Sequence, residues 1–334
     1  MLKTFASRVL AAALATLGCA TASAQSGGPG VQPPTIQWPV KPVRWILPNS
    51  AGSGPDTVAR LAAQRFEQAL GQPFIIENRA GANFFIAAEA IAKAPADGYT
   101  IGLGSGVIAS INPNLFKSLP YDPDRDFDYI AMLVDTVWTV IGTHSSFPAN
   151  SFAEFLEMAK KAPGKYTYQV TVPINGMWWR SVTKKLGIQM VEVEYKSTPQ
   201  AVQDQLAGRT DIFVNAITGY LEHMRAGKLK GLALGGDTPL PGSDLPSINR
   251  FAPHSSLETW ISIMGPAGLP RPMVQRMNRT VDTVVKDADF QKRLLAIGWG
   301  NAEGARTPEA VAQNAKAERA RWAEIAREAG VKPE

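Results

Sequence analysis

The sequence predicts an α/β protein of two lobes, each a mostly parallel sheet flanked by helices. Three observations carry that prediction. Strand-like and helix-like segments alternate with short connections, the pattern of βαβ units. The run 137–142 is strand-like and separates one alternating series from a second. Finally, about 310 residues remain once an export signal is set aside, more than one core comfortably organises.

The export signal is read from the first two dozen residues. Lys3 and Arg8 form a basic start, residues 9–17 an apolar middle, and Ala22-Ser23-Ala24 a small-residue cleavage site before Gln25. The apolar run is too short to span a bilayer. Cys19 suggests a lipid anchor, but Thr16 stands where a lipobox wants Leu, so simple cleavage after residue 24 is expected, followed by a Gly/Pro-rich lead-in over 25–37. Cys19 is the only cysteine, which leaves the mature chain without disulfides, thiol nucleophiles or cysteine metal sites. No later segment has the apolar length of a membrane span. The full chain has 34 Lys and Arg against 29 Asp and Glu, a net charge of +5, and loss of Lys3 and Arg8 reduces it to +3. That balance, with no basic cluster, argues against nucleic acid as a partner.

The most informative stretch runs from Val43 to Arg60. Val43–Leu47 reads as a buried strand ended by Pro48, and residues 55–70 read as a helix stopped by Gly71. Ser53 and Asp56 fit a capping box, with Pro55 in the first turn where its missing N–H costs little. Asp56 and Arg60, four residues apart, are expected to form a structural ion pair. Between strand and helix, Asn49, Ser50, Ala51, Gly52 and Ser53 carry little bulk, so backbone N–H groups and hydroxyls can close on a ligand. A helix N-terminus is an anion site without any Lys or Arg. Carboxylate or phosphate capture outside the cytoplasmic membrane is therefore expected.

Further along, strands are expected at 74–77, 99–103, 166–170, 191–195, 212–214 and 260–264. Helices are expected at 85–93, 151–161, 176–186 and 199–207, and a last one begins at the cap Thr307-Pro308-Glu309. Three more strand-to-helix loops resemble the first: Gly104-Ser105-Gly106, residues 171–175 with Thr171 and Asn175, and Lys196-Ser197-Thr198-Pro199. In open α/β sheets ligands sit beyond the carboxyl ends of strands, and two facing lobes bring such loops together. Each loop alone reads more readily as a short turn, and it is four of them together that favour a cleft. Trp178, Trp179 and Arg180 open a helix after the third loop. Adjacent indoles on a helix point about 100° apart, so one Trp is expected in the core. The other, with Trp178 the candidate, or Arg180 can reach the ligand, against the alternative of a packed Trp beside a solvated Arg.

Catalytic readings fare poorly. His144, His223 and His254 make no zinc spacing, and there is no nucleophile elbow, P-loop or dinucleotide fingerprint. The acids Asp122, Asp124, Asp126 and Asp128 are expected to be solvated. No cofactor and no metal are expected, and a secreted α/β hydrolase is the rival class.

Taken in order, these residues resemble the solute receptors of tripartite tricarboxylate transporters, the Bug family of periplasmic binding proteins. The resemblance begins at Trp38-Pro39-Val40-Lys41-Pro42-Val43-Arg44 and covers nearly all of the mature chain. It runs through Glu77-Asn78-Arg79-Ala80-Gly81-Ala82, then Ala94-Pro95-Ala96-Asp97-Gly98-Tyr99, and then Ile111-Asn112-Pro113-Asn114. It ends at Gly265-Pro266-Ala267-Gly268-Leu269-Pro270. It implies a Venus-flytrap receptor, type II-like, with residues 38–140 and 259–334 in one domain and 141–258 in the other. It also implies a monomer in the periplasm that serves a permease or a sensor ectodomain. A ligand carboxylate would be held by residues 49–54 and by 104–110, which adds Val107 and Ser110 to Ser105 and Gly106. The second domain would contribute Thr171, Asn175 and Lys196.

The departures from the family bear on ligand choice. Asn49 stands where Phe is usual, and Asn83, Phe84 and Phe85 stand where Gly and Thr are common. The third loop is about two residues shorter, and Asn215 replaces a frequent Asp. That replacement disfavours a zwitterionic amino acid. A mono- or dicarboxylate with an apolar or aromatic body is expected.

Overall fold

The computed structural model describes residues 37–300 and 302–333, and residues 36–334 form one compact unit. The export signal, Cys19 and the lead-in through residue 36 lie outside the described residues.

The first lobe opens with β1 (Val43–Leu47), α1 (Gly54–Leu70), β2 (Phe74–Asn78), α2 (Phe85–Ala92) and β3 (Thr100–Ser105). A short α3 (Asn112–Leu115) and the long strand β4 (Phe127–Val137) follow. Only Trp138 separates β4 from β5 (Thr139–His144), which starts the second lobe. There come α4 (Phe152–Lys161), β6 (Thr167–Val170), α5 (Pro173–Leu186), β7 (Val191–Glu194), α6 (Thr198–Leu206), β8 (Ile212–Ala216), α7 (Leu221–Arg225) and β9 (Leu229–Leu234). The chain then returns to the first sheet as β10 (Thr259–Pro266), α8 (Arg271–Val285), α9 (Ala288–Ala296) and β11 (Trp299–Gly300), and ends in α10 (Pro308–Glu328).

The α/β class and the two-lobed build are as the sequence predicts. One sheet has the order β11-β4-β10-β3-β1-β2 and the other β7-β6-β8-β5-β9. In each, three strands make the parallel βαβ core: β2-β1-β3 and β7-β6-β8. The strands that carry the chain between lobes add antiparallel pairs, β10 between β3 and β4 and β5 between β8 and β9. The carboxyl ends of β1 and β3 therefore stand beside the start of β10, which places three separate segments at one edge of the cleft.

Each lobe has its own apolar core. Trp45, Phe66, Ile101, Ile263 and Met277 belong to the first, and Phe152, Phe155, Trp178, Trp179 and Val214 to the second. The last helix serves both. Val311 and Ala315 pack in the first core, while Trp322, Ile325 and Ala326 pack in the second. The stripe read from the sequence is thus one buried face laid across two lobes.

The acids of the 122–128 segment are partly solvated, as expected, and two of them also tie distant segments together. Asp124 pairs with Arg319 at 2.7 Å, and Asp128 Oδ2 accepts the N–H groups of Gly268 and Leu269. They anchor the loop after β10 and the last helix, contacts between segments too distant in the chain for the sequence reading to supply.

Candidate functional site

The loop between β1 and α1 is shaped from beneath. Gly52 takes the left-handed conformation at φ 77°, and its N–H donates to Asp56 Oδ2 at 2.9 Å. Arg60 Nε donates to the same oxygen at 2.9 Å, as the spacing of the two residues predicts. Asn78, the last residue of β2, donates from Nδ2 to Asn49 O at 2.8 Å and to Asp56 Oδ1 at 2.9 Å. Asp56 is 2% exposed. Burial opposes its ionised form, but the bonds from Arg60, the Gly52 N–H and Asn78 outweigh it and hold the carboxyl below its ordinary range.

This differs from the expected capping box. Ser53 has the extended backbone of a cap, yet its hydroxyl makes no cap bond, and Asp56 reaches back to Gly52 instead of Ser53. The consequence matters for binding. Ser53 Oγ is left buried without a partner, beside the first-turn amides of Gly54 and Asp56 that no helix carbonyl can accept from.

Two other segments bring groups of the same kind. Ser105, at the end of β3, has a buried hydroxyl without a partner, and Trp260, on β10, has a buried Nε1–H without one. They lie close together, since a Cβ added at Gly106 would stand 3.6 Å from Trp260 Nε1. Trp299 of β11 closes the side, its ring 3.0 Å from where a Gly54 Cβ would be. Trp299 Nε1 donates across the cleft to Thr218 Oγ1 of the second lobe at 2.7 Å.

At the mouth, Ala82, Asn83 and Phe84 are three consecutive non-glycine residues with positive φ, at 44°, 51° and 72°. Each costs about 1–2 kcal/mol. Asn112 Nδ2 holds the turn by donating to Asn83 O at 2.8 Å. Asn83 and Phe84 are thereby turned onto the cavity wall.

The second lobe faces them with the ends of β6 and β8 and the starts of α5 and α6. Thr171, Asn175, Thr198, Thr218 and His223 contribute to the wall, together with Val172, Ile174 and Val202. Between the lobes lies a cavity of about 1000 Å³, large for a small-molecule site. Among the described residues no Lys, Arg, Asp or Glu lines it, and His223 is the one titratable side chain that does. An anion held here must rely on amide dipoles, hydroxyls and indole N–H groups. Among the described residues no cluster of His, Cys, Asp or Glu fit to hold a metal occurs, and no helix is long and apolar enough to cross a membrane.

The structure brings most of the sequence candidates to this cavity. Asn49, Ser50, Ala51, Gly52 and Ser53 line it, as do Ser105, Gly106 and Val107 from the second loop and Thr171 and Asn175 from the third. Five candidates stand elsewhere. Ser110 is fully buried and donates to Ala315 O at 2.8 Å, fixing the last helix. Trp178 Nε1 donates to Ser255 O at 2.6 Å within the second core. Arg180 is exposed and paired with Glu192 on another face, and Lys196 is exposed off the wall.

Asn215 lies one layer behind the wall at 1% exposure. Its Oδ1 accepts both the N–H and the hydroxyl of Thr171, at 2.9 and 2.8 Å. Its Nδ2 donates to Tyr220 OH at 2.9 Å and weakly to Gln169 O at 3.4 Å. It positions Thr171 rather than meeting a ligand.

The expectation that one of the paired indoles leaves the core is corrected. Trp178 and Trp179 are 1% and 0% exposed. Their directions do diverge, but α5 is covered on both sides. Trp178 packs toward the 235–255 segment, while Trp179 meets Phe152 and Tyr168 at ring-centroid distances of 6.3 Å. Arg180→Ala is accordingly expected to leave carboxylate affinity unchanged in calorimetric titration. A tenfold weaker complex would return that side chain to the site.

Sequence reasoning missed Trp260, Trp299 and Thr218, which reach the cavity only through sheet neighbours distant in the chain. Asn83 and Phe84 had a visible signal, two bulky residues where glycine is common.

The model of the tripartite tricarboxylate transporter family receptor matches residues 58–331. A UPF0065 protein of Bordetella bronchiseptica is 28% identical over 298 residues, covering 89% of this chain and 88% of its own. A solved R. palustris protein with adipate is 28% identical at a TM-score of 0.79, over 89% of this chain and 100% of that one. MatC from Rhodopseudomonas palustris, with bound malate, is 26% identical at a TM-score of 0.73, over 86% of this chain and 99% of that one.

Proposed function

Because this chain belongs to the tripartite tricarboxylate transporter receptor family, we propose that it binds a small carboxylate between its lobes and releases it unaltered. The observation that carries the reading is the first-lobe edge of the cavity. Ser53 Oγ and Ser105 Oγ are buried there without partners, next to the free first-turn amides of α1. A carboxylate satisfies all of them at once, and burying polar groups unsatisfied is costly. The similar proteins with adipate and malate support the same ligand class.

Two lobes joined near Trp138 and Glu258 suit a receptor that closes on its ligand, which then stabilises the closed form by its differential affinity for it. On this reading residues 38–140 and 259–334 move as one domain against 141–258. The export signal read at residues 1–24 supports delivery to the periplasm, where a closed receptor docks on a permease or a sensor.

A thermal-shift screen against a panel of carboxylates tests the proposal. A ligand at a hundred times its Kd stabilises by about 2.7 kcal/mol, a rise in Tm of about 4 °C for a protein of this size. Saturable shifts with the ligand recovered intact are expected. Conversion of the ligand to a product would overturn the receptor reading.

A further inference from the structure

We propose that the ligand carries a single carboxylate, held by the first lobe, and that the rest of it is apolar. The inference rests on the carboxylate reading above and concerns what the second lobe can accept.

Among the described residues, buried side-chain polar atoms of the wall without partners are confined to one side. They are Ser53 Oγ, Ser105 Oγ and Trp260 Nε1, all of the first lobe. Two residues of the second lobe that would meet another carboxylate, Thr171 and Asn175, already donate to the protein. The N–H and hydroxyl of Thr171 both donate to Asn215 Oδ1. The N–H of Asn175 donates to Val172 O at 3.1 Å, and its Nδ2 to Val214 O.

What remains on that side is largely apolar. Val172, Ile174 and Val202 line it, and Val172 is 43% exposed, an uncovered aliphatic surface at the ligand's far end. Thr139, Thr198, Gln203, Thr218 and His223 are the other polar side chains described there, and none is a lysine or arginine. A second carboxylate would lose its hydration against this wall without gaining a fixed positive partner, and such a charge is disfavoured. A methyl or ring end would instead gain from burial.

Matched ligand pairs read this directly. Hexanoate and adipate share a carbon chain and differ only in whether the far end is a methyl or a second carboxylate. Benzoate and terephthalate differ likewise. Calorimetric titration of the exported protein is expected to show the monoacid of each pair bound at least about tenfold more tightly. Val172→Lys, which adds a cation at the exposed rim, is expected to narrow that ratio about tenfold by strengthening the diacids. Equal or tighter binding of both diacids by the parent protein overturns the single-carboxylate inference and leaves the carboxylate receptor standing. Failure of every carboxylate in the panel, mono- or dibasic, removes the receptor reading and this inference together.

Discussion

The Asp56→Ala variant is expected to bind carboxylates about a hundredfold more weakly and to lose about 2–3 kcal/mol of stability. The reason is architectural. Asp56 never meets the ligand in this arrangement. It accepts from the Gly52 N–H, Arg60 and Asn78, and Asn78 in turn ties down Asn49 O. Removing the carboxylate frees Gly52, which sits at φ 77° in the middle of the anion loop, and the loop must then be ordered at the expense of binding. Arg60 is half exposed and can turn to water, so the loss of its ion pair is a minor part of the effect. Arg60→Ala is for that reason expected to cost less than about 1 kcal/mol. The comparison separates a charge effect from a loop effect. Equal losses in the two variants, or an unchanged Kd in Asp56→Ala, would show that the loop keeps its form without this support.

The sign of the pH dependence follows from the same bonds. The Asp56 carboxyl is held below its ordinary range, so the folded state binds this proton less readily than the unfolded chain. Its contribution to stability is fully present above the unfolded pKa of about 3.9 and disappears as pH falls through the lower folded value. The loop is therefore expected to keep its shape across the mildly acidic range.

The legible parts of the site are those contained within short stretches of sequence. Residues 43–60 hold the strand, the small-residue loop and the helix start in one continuous run, and the same holds for 99–107 and 166–175. The α/β class follows from the same local patterns repeated along the chain. What stayed hidden depends on sheet order. β10 comes more than a hundred residues after the strands it lies between, so nothing near Trp260 announces that its indole N–H stands by Gly106. β11 has only two residues, too few for any periodicity to mark Trp299 as a cavity wall. The Trp178–Trp179 pair misled for a related reason. Helical geometry gives the angle between neighbours, but not the number of sides on which a helix will be covered. Asn215 was visible as a departure, and its place one layer behind Thr171 emerges only when β8 is seen paired with β6.

That placement makes Asn215→Asp the substitution with the largest expected effect on stability, about 3 kcal/mol at neutral pH. An aspartate here keeps the two bonds that Thr171 donates to Oδ1, and the Tyr220 hydroxyl can turn to donate to the second oxygen. The contact that cannot be repaired is with Gln169 O, an acceptor now facing an acceptor. Among the described residues no Lys or Arg lines the adjoining cavity to offset a charge at 1% exposure. Burial without a counter-charge raises the pKa of the new carboxyl. The sign is thus opposite to that of Asp56. The deficit is small below the unfolded pKa of about 3.9, grows as pH rises toward the raised folded value, and levels off above it. Urea denaturation at about pH 5 and about pH 8 measures it, the variant losing more of its midpoint at the higher value. Carboxylate affinity should fall as well, since the new charge sits directly behind Thr171 on the cavity wall. A variant as stable as the parent at about pH 8, with undiminished affinity, would mean that water or a rearranged Tyr220 neutralises the site, and that Thr171 is not held from behind as the hydrogen bonds indicate.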